Sequence, residues 1–238
     1  MSVAALIVAA GRGVRFGGDT PKQFATIGGK PLLFHSIEIF ERMPEFDEIW
    51  LVLPAGFVAE FERRYDPSAY RKIAGRVAGG AHRQDSVIAG LTAMPPTTEI
   101  AAIHDAVRLF ASSEAIREAV ARARQTGAAI LARPAVDTAK RCDDKRRVIE
   151  TIPRDQLWLA ETPQVFQFDV ICRAYAKASA DGVAVTDDAG AVERLGLPVE
   201  VVRSPSPNPK ITTPDDLRFA EWLLLERRMD VGLESFDV

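Results

Sequence analysis

The stretch "AAGRGVRFGGDTPKQF" (residues 9–24) sets Gly11 and Gly13 among Arg12, Arg15 and Lys22, directly after an apolar run. Glycine at 11 and 13 removes side chains that would hold the backbone away from a ligand, so main-chain N–H groups can face phosphate oxygens. Arg15 and Lys22 add charge to the same rim. Such a loop answers a compact, highly anionic ligand such as a nucleoside triphosphate; the plain alternative is a solvated turn whose cations keep the surface soluble. Two familiar phosphate loops fail by spacing. A Walker A loop needs Ser or Thr after its GxxxxGK, and a GxGxxG fingerprint begun at Gly11 places Phe16 where the third glycine belongs.

Other polar residues sit where chemistry is possible. "HDAVR" (104–108) brings His104, Asp105 and Arg108 to the end of an apolar run, where Asp105 could hold a sugar hydroxyl, help position a metal ion, or simply pair with Arg108 or cap a helix. "ETPQVF" (161–166) and "VTDDAG" (185–190) read as loops leading into helices, with Thr162 and Asp187 able to cap. Lys210 stands in the proline-rich passage "SPSPNPK". His35 and His82 have no partners at metal-ligand spacing. Cys142 and Cys172 form no CxxC pair and read as free thiols. With no GxSxG elbow and no HExxH, nothing argues for nucleophilic or zinc chemistry.

These residues need a scaffold, and the hydrophobic pattern supplies one. "AALIVAA" (4–10) is a continuous apolar run, as expected of a strand buried on both faces of a parallel sheet. "KPLLFHSIEIFERM" (30–43) puts Leu33, Ile37, Phe40 and Met43 at helical spacing, with Pro31 suited to the first turn. "EIWLVLP" (48–54) is a strand; helices are expected within 57–65 and from about residue 83. A strand at 99–107, a helix over about 112–126 and a strand at 128–136 continue the alternation. It resumes with helices at about 168–181 and 187–195, a strand at 198–204 and an amphipathic helix from Pro214 to about Arg228. The pattern predicts an α/β fold: a Rossmann-like, doubly wound, mostly parallel sheet with right-handed crossovers.

The alternation breaks at 137–157, "DTAKRCDDKRRVIETIPRDQL", where charge is dense and only "VIETI" reads as strand. The reading is a protruding β-arm used for dimerisation, against the alternative of a surface loop. Residues 1–238 are otherwise expected to form a single domain.

With 238 residues, 47% of them hydrophobic, the chain can bury a sizeable core. A net charge of −3 lacks the broad basic field of a protein that grips long nucleic acids, so cations that matter must act locally. No stretch approaches the roughly 18 apolar residues of a membrane span. The start "MSVAALIVAAGRG" reads as a first strand rather than a secretory signal, which places the protein in the cytoplasm.

Taken together, "AAGRGVRFGGDTPKQF", "GGAHRQDSVIAGL", "IHDAVR", "VDTAKR", "LWLAETPQVF", "TDDAGAVE" and "NPKITTPDDL" resemble, in order and over nearly the whole chain, the 2-C-methyl-D-erythritol 4-phosphate cytidylyltransferase family. The resemblance implies an attack by the substrate's phosphate on the α-phosphorus of CTP, with Mg²⁺ bound mainly through the CTP phosphates. It implies that Arg15, Lys22 and Lys210 are catalytic cations, and that Ala9, Ala10, Gly11, Gly13, Gly80 and Ser86 hold the nucleotide. Asp105, Arg108 and Thr162 would line the methylerythritol phosphate pocket from one chain of a homodimer, with Thr138 and Arg154 reaching in from the partner's arm. Two positions depart from the family pattern: Leu109 replaces the usual proline, and Ala81 stands where some relatives carry an acidic residue. A ribitol 5-phosphate cytidylyltransferase, a catalytically inactive nucleotide-binding regulator and a Rossmann-like oxidoreductase are the competing readings, the last disfavoured by the failed GxGxxG spacing.

Overall fold

The computed structural model describes residues 2–11, 21–65 and 69–233, with side chains to residue 227. In chain order its elements are β1 (Ser2–Val8), β2 (Thr26–Ile27), β3 (Lys30–Pro31), α1 (Leu32–Glu41), β4 (Glu48–Leu53), α2 (Val58–Arg64), β5 (Ile73–Ala78), α3 (Arg83–Ala93) and β6 (Thr98–Asp105). They continue with α4 (Ser113–Thr126), β7 (Ala128–Pro134), β8 (Ala139–Cys142), β9 (Val148–Ile152), β10 (Trp158–Gln167), α5 (Phe168–Ala180), α6 (Asp188–Glu193), β11 (Glu200–Arg203) and α7 (Pro214–Leu233).

Seven strands form one sheet in the order β11-β7-β10-β6-β1-β4-β5. The pairings of β1 with β4 and β6, of β4 with β5 and of β7 with β11 are parallel, while β10 runs antiparallel to both β6 and β7. The expected doubly wound, mostly parallel α/β fold is therefore present.

Alternation along β1 shows how the two faces are filled. Successive side chains of a strand point to opposite faces, and Val3, Ala5 and Ile7 join the cluster that holds Leu33, Ile37 and Phe40 of α1 and Ile116, Ala119 and Val120 of α4. Ala4 and Leu6 join the opposite cluster, with Val87 and Leu91 of α3 and Val170, Ile171 and Ala174 of α5. Each fully buried Val, Leu, Ile or Phe side chain among them contributes about 1.5–3 kcal/mol. Local signals set the helix ends: the Ser112 hydroxyl accepts from the N–H of Ala115 at the start of α4, and Gly127 closes that helix in the left-handed region at φ 97°.

Two stretches differ from the sequence expectation. Residues 161–166 are not a loop before a helix but part of β10, and Thr162 caps nothing. Pro163 argues against a central strand because it lacks an N–H, yet β10 shifts register between Ala160 and Gln164, where the ladder has no place for that N–H. β5, "IAGRVA", is not among the expected strands; it is an edge strand with no fully buried residue, so its apolar signal is weak.

Residues 137–157 contain the paired strands β8 and β9, joined antiparallel from Ala139↔Ile152 to Cys142↔Val148. The anticipated "VIETI" strand thus has a partner in "AKRC", whose central cations Lys140 and Arg141 hid it. Both cysteines are free.

Close packing of α3 on β1 and β4 requires a missing side chain. A Cβ at Gly90 would lie 2.5 and 2.8 Å from the Leu6 methyls and 2.9 Å from Val52 Cγ2. Gly90→Ala is expected to lower unfolding free energy by about 1–3 kcal/mol through overpacking, read as a reduced urea midpoint at unchanged m-value; a midpoint equal to wild type contradicts the packing described.

Candidate active site

From β1 the chain builds outward through β4 and β5, then returns to the other flank of β1 as β6. The direction of winding reverses between β1 and β6, and in open α/β sheets such a reversal opens a crevice beyond the carboxyl ends of the strands. Val8 and Asp105, the last residues of these two strands, stand opposite each other in register. A cavity of about 240 Å³ opens beyond them, lined by Val8–Gly11, Lys22, Gln23, Gly80–Arg83, Ser86, Asp105–Val107 and Lys210.

The backbone is brought close by small residues. A Cβ on Gly79 would collide with the Ala10 Cβ and lie 2.8 Å from Ser86 Oγ, so glycine lets the segment before α3 lie against the end of β1. The Gly80 N–H donates to Ser86 Oγ at 3.2 Å, and that hydroxyl donates to the His82 carbonyl at 3.0 Å. Ala9 donates its N–H to the Val52 carbonyl at 2.8 Å and accepts from the Gln23 amide through its own carbonyl. Ala9 and the Gly80 N–H thus shape the cavity while already bonded within the protein. Gly11 faces open space.

Three cations, Lys22, Arg83 and Lys210, line the cavity against one carboxylate, Asp105, among the described residues. Lys210 Nζ lies 2.7 Å from Asp105 Oδ2, Arg83 Nε 3.3 Å from Oδ1, and Arg108 Nε 3.9 Å from Oδ2. Burial pushes the Asp105 carboxyl up, but the charges of Arg83, Lys210 and Arg108 outweigh it and hold the group well below the usual carboxylate range. Lys22 Nζ donates to the Ile211 carbonyl at 3.1 Å, tying the loop after β1 to the segment carrying Lys210.

Behind Asp105 lies a chain of hydrogen bonds whose directions are fixed by chemistry. The Arg108 carbonyl can only accept, so the His104 Nε2 at 2.8 Å carries the proton. Its Nδ1 then accepts from the Thr162 hydroxyl at 3.1 Å, and Thr162 Oγ1 accepts the Asp105 N–H at 3.0 Å. The β10–β6 ladder reaches only to Gln164↔Ile103; beyond it the Thr162 side chain supplies the acceptor that a strand backbone would have given Asp105. Asn208, also buried, accepts the Phe110 N–H at 3.1 Å and donates to the Thr162 carbonyl at 3.0 Å. Its own carbonyl accepts from Arg108 Nη1 at 2.7 Å. Lys210, two residues on, is therefore held by a segment anchored on β10 and on the turn after β6.

Of the residues singled out in the sequence, Ala9, Ala10, Gly11, Lys22, Gly80, Ser86, Asp105 and Lys210 converge on the cavity. Arg108 and Thr162 contact Asp105 rather than the cavity. Thr138 and Arg154 are exposed on and beside the β8–β9 hairpin, Arg154 donating to the Val136 carbonyl at 2.6 Å. Gly13 and Arg15 lie outside the described residues. Leu109 is buried with Leu32, Phe110 and Ile211, an apolar role that leaves Arg108 in contact with Asp105. The sequence reading missed Arg83, whose signal was its place after the paired glycines of "GGAHR" at the start of α3. It also missed Gln23 and Asn208, polar residues that bind backbone far away in sequence.

Residues 3–226 match the family model for IspD, 2-C-methyl-D-erythritol 4-phosphate cytidylyltransferase. The chain is 44% identical over 223 residues to the 2-C-methyl-D-erythritol 4-phosphate cytidylyltransferase of Syntrophus aciditrophicus, covering 93% of this chain and 95% of the relative. It is 42% identical to that of Geobacter metallireducens, covering 95% and 99%. Among solved structures, the 4-diphosphocytidyl-2C-methyl-D-erythritol synthase of Anaerococcus prevotii superposes with a TM-score of 0.80 at 32% identity, covering 94% and 96%. The Thermus thermophilus cytidylyltransferase superposes with a TM-score of 0.76 at 30% identity, covering 94% and 99%.

His104 gives this region an acid limit. Burial lowers its pKa from 6.5 to about 4, so between those values the unfolded chain binds a proton that the folded chain excludes. Stability from this group is complete above pH 6.5 and falls as pH drops toward 4, by about 3 kcal/mol in all. Urea titrations at pH 7 and pH 4.5 are expected to show a larger loss for wild type than for His104→Gln; equal losses contradict the assignment.

Proposed function

The chain belongs to the 2-C-methyl-D-erythritol 4-phosphate cytidylyltransferase family, and from that membership we propose that it transfers the cytidylyl group of CTP to 2-C-methyl-D-erythritol 4-phosphate in isoprenoid precursor biosynthesis. A phosphate oxygen of the sugar phosphate attacks the α-phosphorus of CTP. The bond from that phosphorus to the bridging oxygen breaks, and pyrophosphate departs with the electron pair. The product is 4-diphosphocytidyl-2-C-methyl-D-erythritol, and no covalent enzyme intermediate is required.

The obstacle is electrostatic. Two unit charges of like sign 4 Å apart repel by about 4 kcal/mol at an effective dielectric of about 20, and both reactants carry several. Fixed cations lower that barrier most where charge builds up in the transition state. The observation that carries the proposal is the convergence of Lys22 and Lys210 on one cavity at the β1–β6 crevice. Lys22, with Arg15 from the same loop, is assigned to the developing charge and the leaving pyrophosphate. Lys210 is assigned to the incoming phosphate and the α-phosphate. Ala9, Ala10, Gly11, Gly13, Gly80 and Ser86 form the nucleotide's wall.

Asp105 is already engaged by cations, so a tightly held Mg²⁺ there would compete with them. Mg²⁺ therefore arrives as part of the CTP substrate, held mainly by its phosphates, as this hydrated ion commonly is. The free thiols of Cys142 and Cys172 suit a reducing, cytoplasmic setting where CTP is made.

The 1–238 chain acts as one nucleotidyltransferase domain, with 137–157 as its arm, in a homodimer. Val148 and Ile149 on the arm and Val136 just before it are 60%, 58% and 66% exposed, and such apolar side chains favour burial against a second copy. Thr138 and Arg154 would then complete the partner's sugar phosphate pocket with Asp105, Arg108 and Thr162.

Pyrophosphate release from CTP, measured with and without 2-C-methyl-D-erythritol 4-phosphate, tests the activity directly; release that ignores the sugar phosphate contradicts it. Lys22→Ala is expected to lower kcat about 10²-fold or more, the scale of losing one preorganised donor, and near-normal kcat would remove Lys22 from its role. Arg154→Ala is expected to raise KM for the sugar phosphate about tenfold with a smaller change for CTP. An unchanged KM would place the arm outside the site.

A further inference from the structure

The "TDDAG" motif has so far supplied only a cap: Asp187 Oδ1 accepts the Gly190 N–H at 3.0 Å at the start of α6. The next residue does something else. Asp188 is fully buried and grips Arg83 with both oxygens, at 2.8 Å to Nη1 and 2.7 Å to Nη2. The buried Tyr175 hydroxyl of α5 donates to the same carboxylate. Arg83 Nε meanwhile reaches Asp105 Oδ1 at 3.3 Å, and the side chain lines the cavity with 27% of its surface exposed.

Counting donors separates Arg83 from the lysines. A guanidinium has five N–H groups in a fixed plane; the contacts with Asp105 and Asp188 use one on Nε and one on each Nη, and of the two that remain one meets the Tyr175 hydroxyl. Its charge is already matched by a buried carboxylate in fork-to-fork geometry, so the side chain has lost both its freedom and its surplus charge. Lys22 and Lys210 provide the charge that phosphates need. What Arg83 retains is one rigidly placed donor at the start of α3, in the cavity wall that also holds Gly80 and Ser86.

We infer that Arg83 donates to an acceptor oxygen or nitrogen of the nucleoside half of CTP, not to its phosphates, and that Asp188 and Tyr175 are positioning residues that hold it for this purpose. The inference rests on the CTP reading given above. It assigns the buried acidic residue of "TDDAG", on a helix about a hundred positions away from Arg83, to nucleotide selection.

Steady-state kinetics on the full chain test it, with CTP as the varied substrate and pyrophosphate as product inhibitor. Arg83→Gln and Asp188→Asn are each expected to raise KM for CTP about tenfold or more, while the inhibition constant of pyrophosphate stays within about twofold. KM for the sugar phosphate should also stay within about twofold. The double variant should be no worse than the worse single one, because Asp188 acts through Arg83. Weakening of pyrophosphate inhibition in step with KM, multiplication of the two effects, or an unchanged KM in Asp188→Asn would each overturn the inference. Where Asp188→Asn fails to fold, Tyr175→Phe removes only a hydroxyl and should still raise KM for CTP about threefold; no rise there is equally decisive against it. A wild-type protein that releases no pyrophosphate from CTP counts against the proposed function instead. Calorimetric binding of cytidine, which has no phosphate, to wild type and Arg83→Gln then decides the Arg83 assignment: weaker binding supports it and equal binding refutes it.

Discussion

One carboxylate organises the site. Asp105 ends β6 in a place where burial alone would favour its neutral form, yet Arg83, Arg108 and Lys210 gather round it from α3, from the turn after β6 and from the loop after β11. An unpaired buried charge is among the most costly groups a fold can carry. Its satisfaction therefore recruits segments that would otherwise repel one another, and cations concentrate at one rim of a chain whose net charge is −3.

The supports of that carboxylate are neutral and directional. Thr162, His104 and Asn208 carry definite donor and acceptor assignments, and their bonds join the end of β6, the turn after it, β10 and the loop after β11. A network of this kind is stable only when complete. The reversed strand β10 makes it possible, since its interrupted register near Pro163 delivers a threonine hydroxyl where a continued ladder would have delivered a carbonyl.

Much of this was readable in the sequence because the strongest signals are local. "AALIVAA" before glycine, helical spacing in 30–43, and cationic or polar residues at strand ends all follow from rules acting within a dozen residues. Asp105, Lys22 and Lys210 could be picked out in that way. Arg83 was passed over despite its place after the paired glycines, since its tie to Asp188 joins remote segments and such a salt bridge leaves no periodic trace. Residues 161–166 misled for the opposite reason: a proline gives a strong local signal that tertiary pairing overrode. β5 and β8 were missed because edge and exposed strands carry little apolar pattern.

The β8–β9 hairpin leaves the sheet at the end of β7 and rejoins it at the start of β10, where Trp158 pairs with Pro134. Its two roots are thus stapled side by side by the sheet itself. Residues between the roots can lengthen, shorten or change composition without asking the seven-stranded scaffold to move, much as a drawer slides without disturbing the cabinet. Selection can consequently tune this hairpin on a different schedule from the cavity, whose walls belong to the frame.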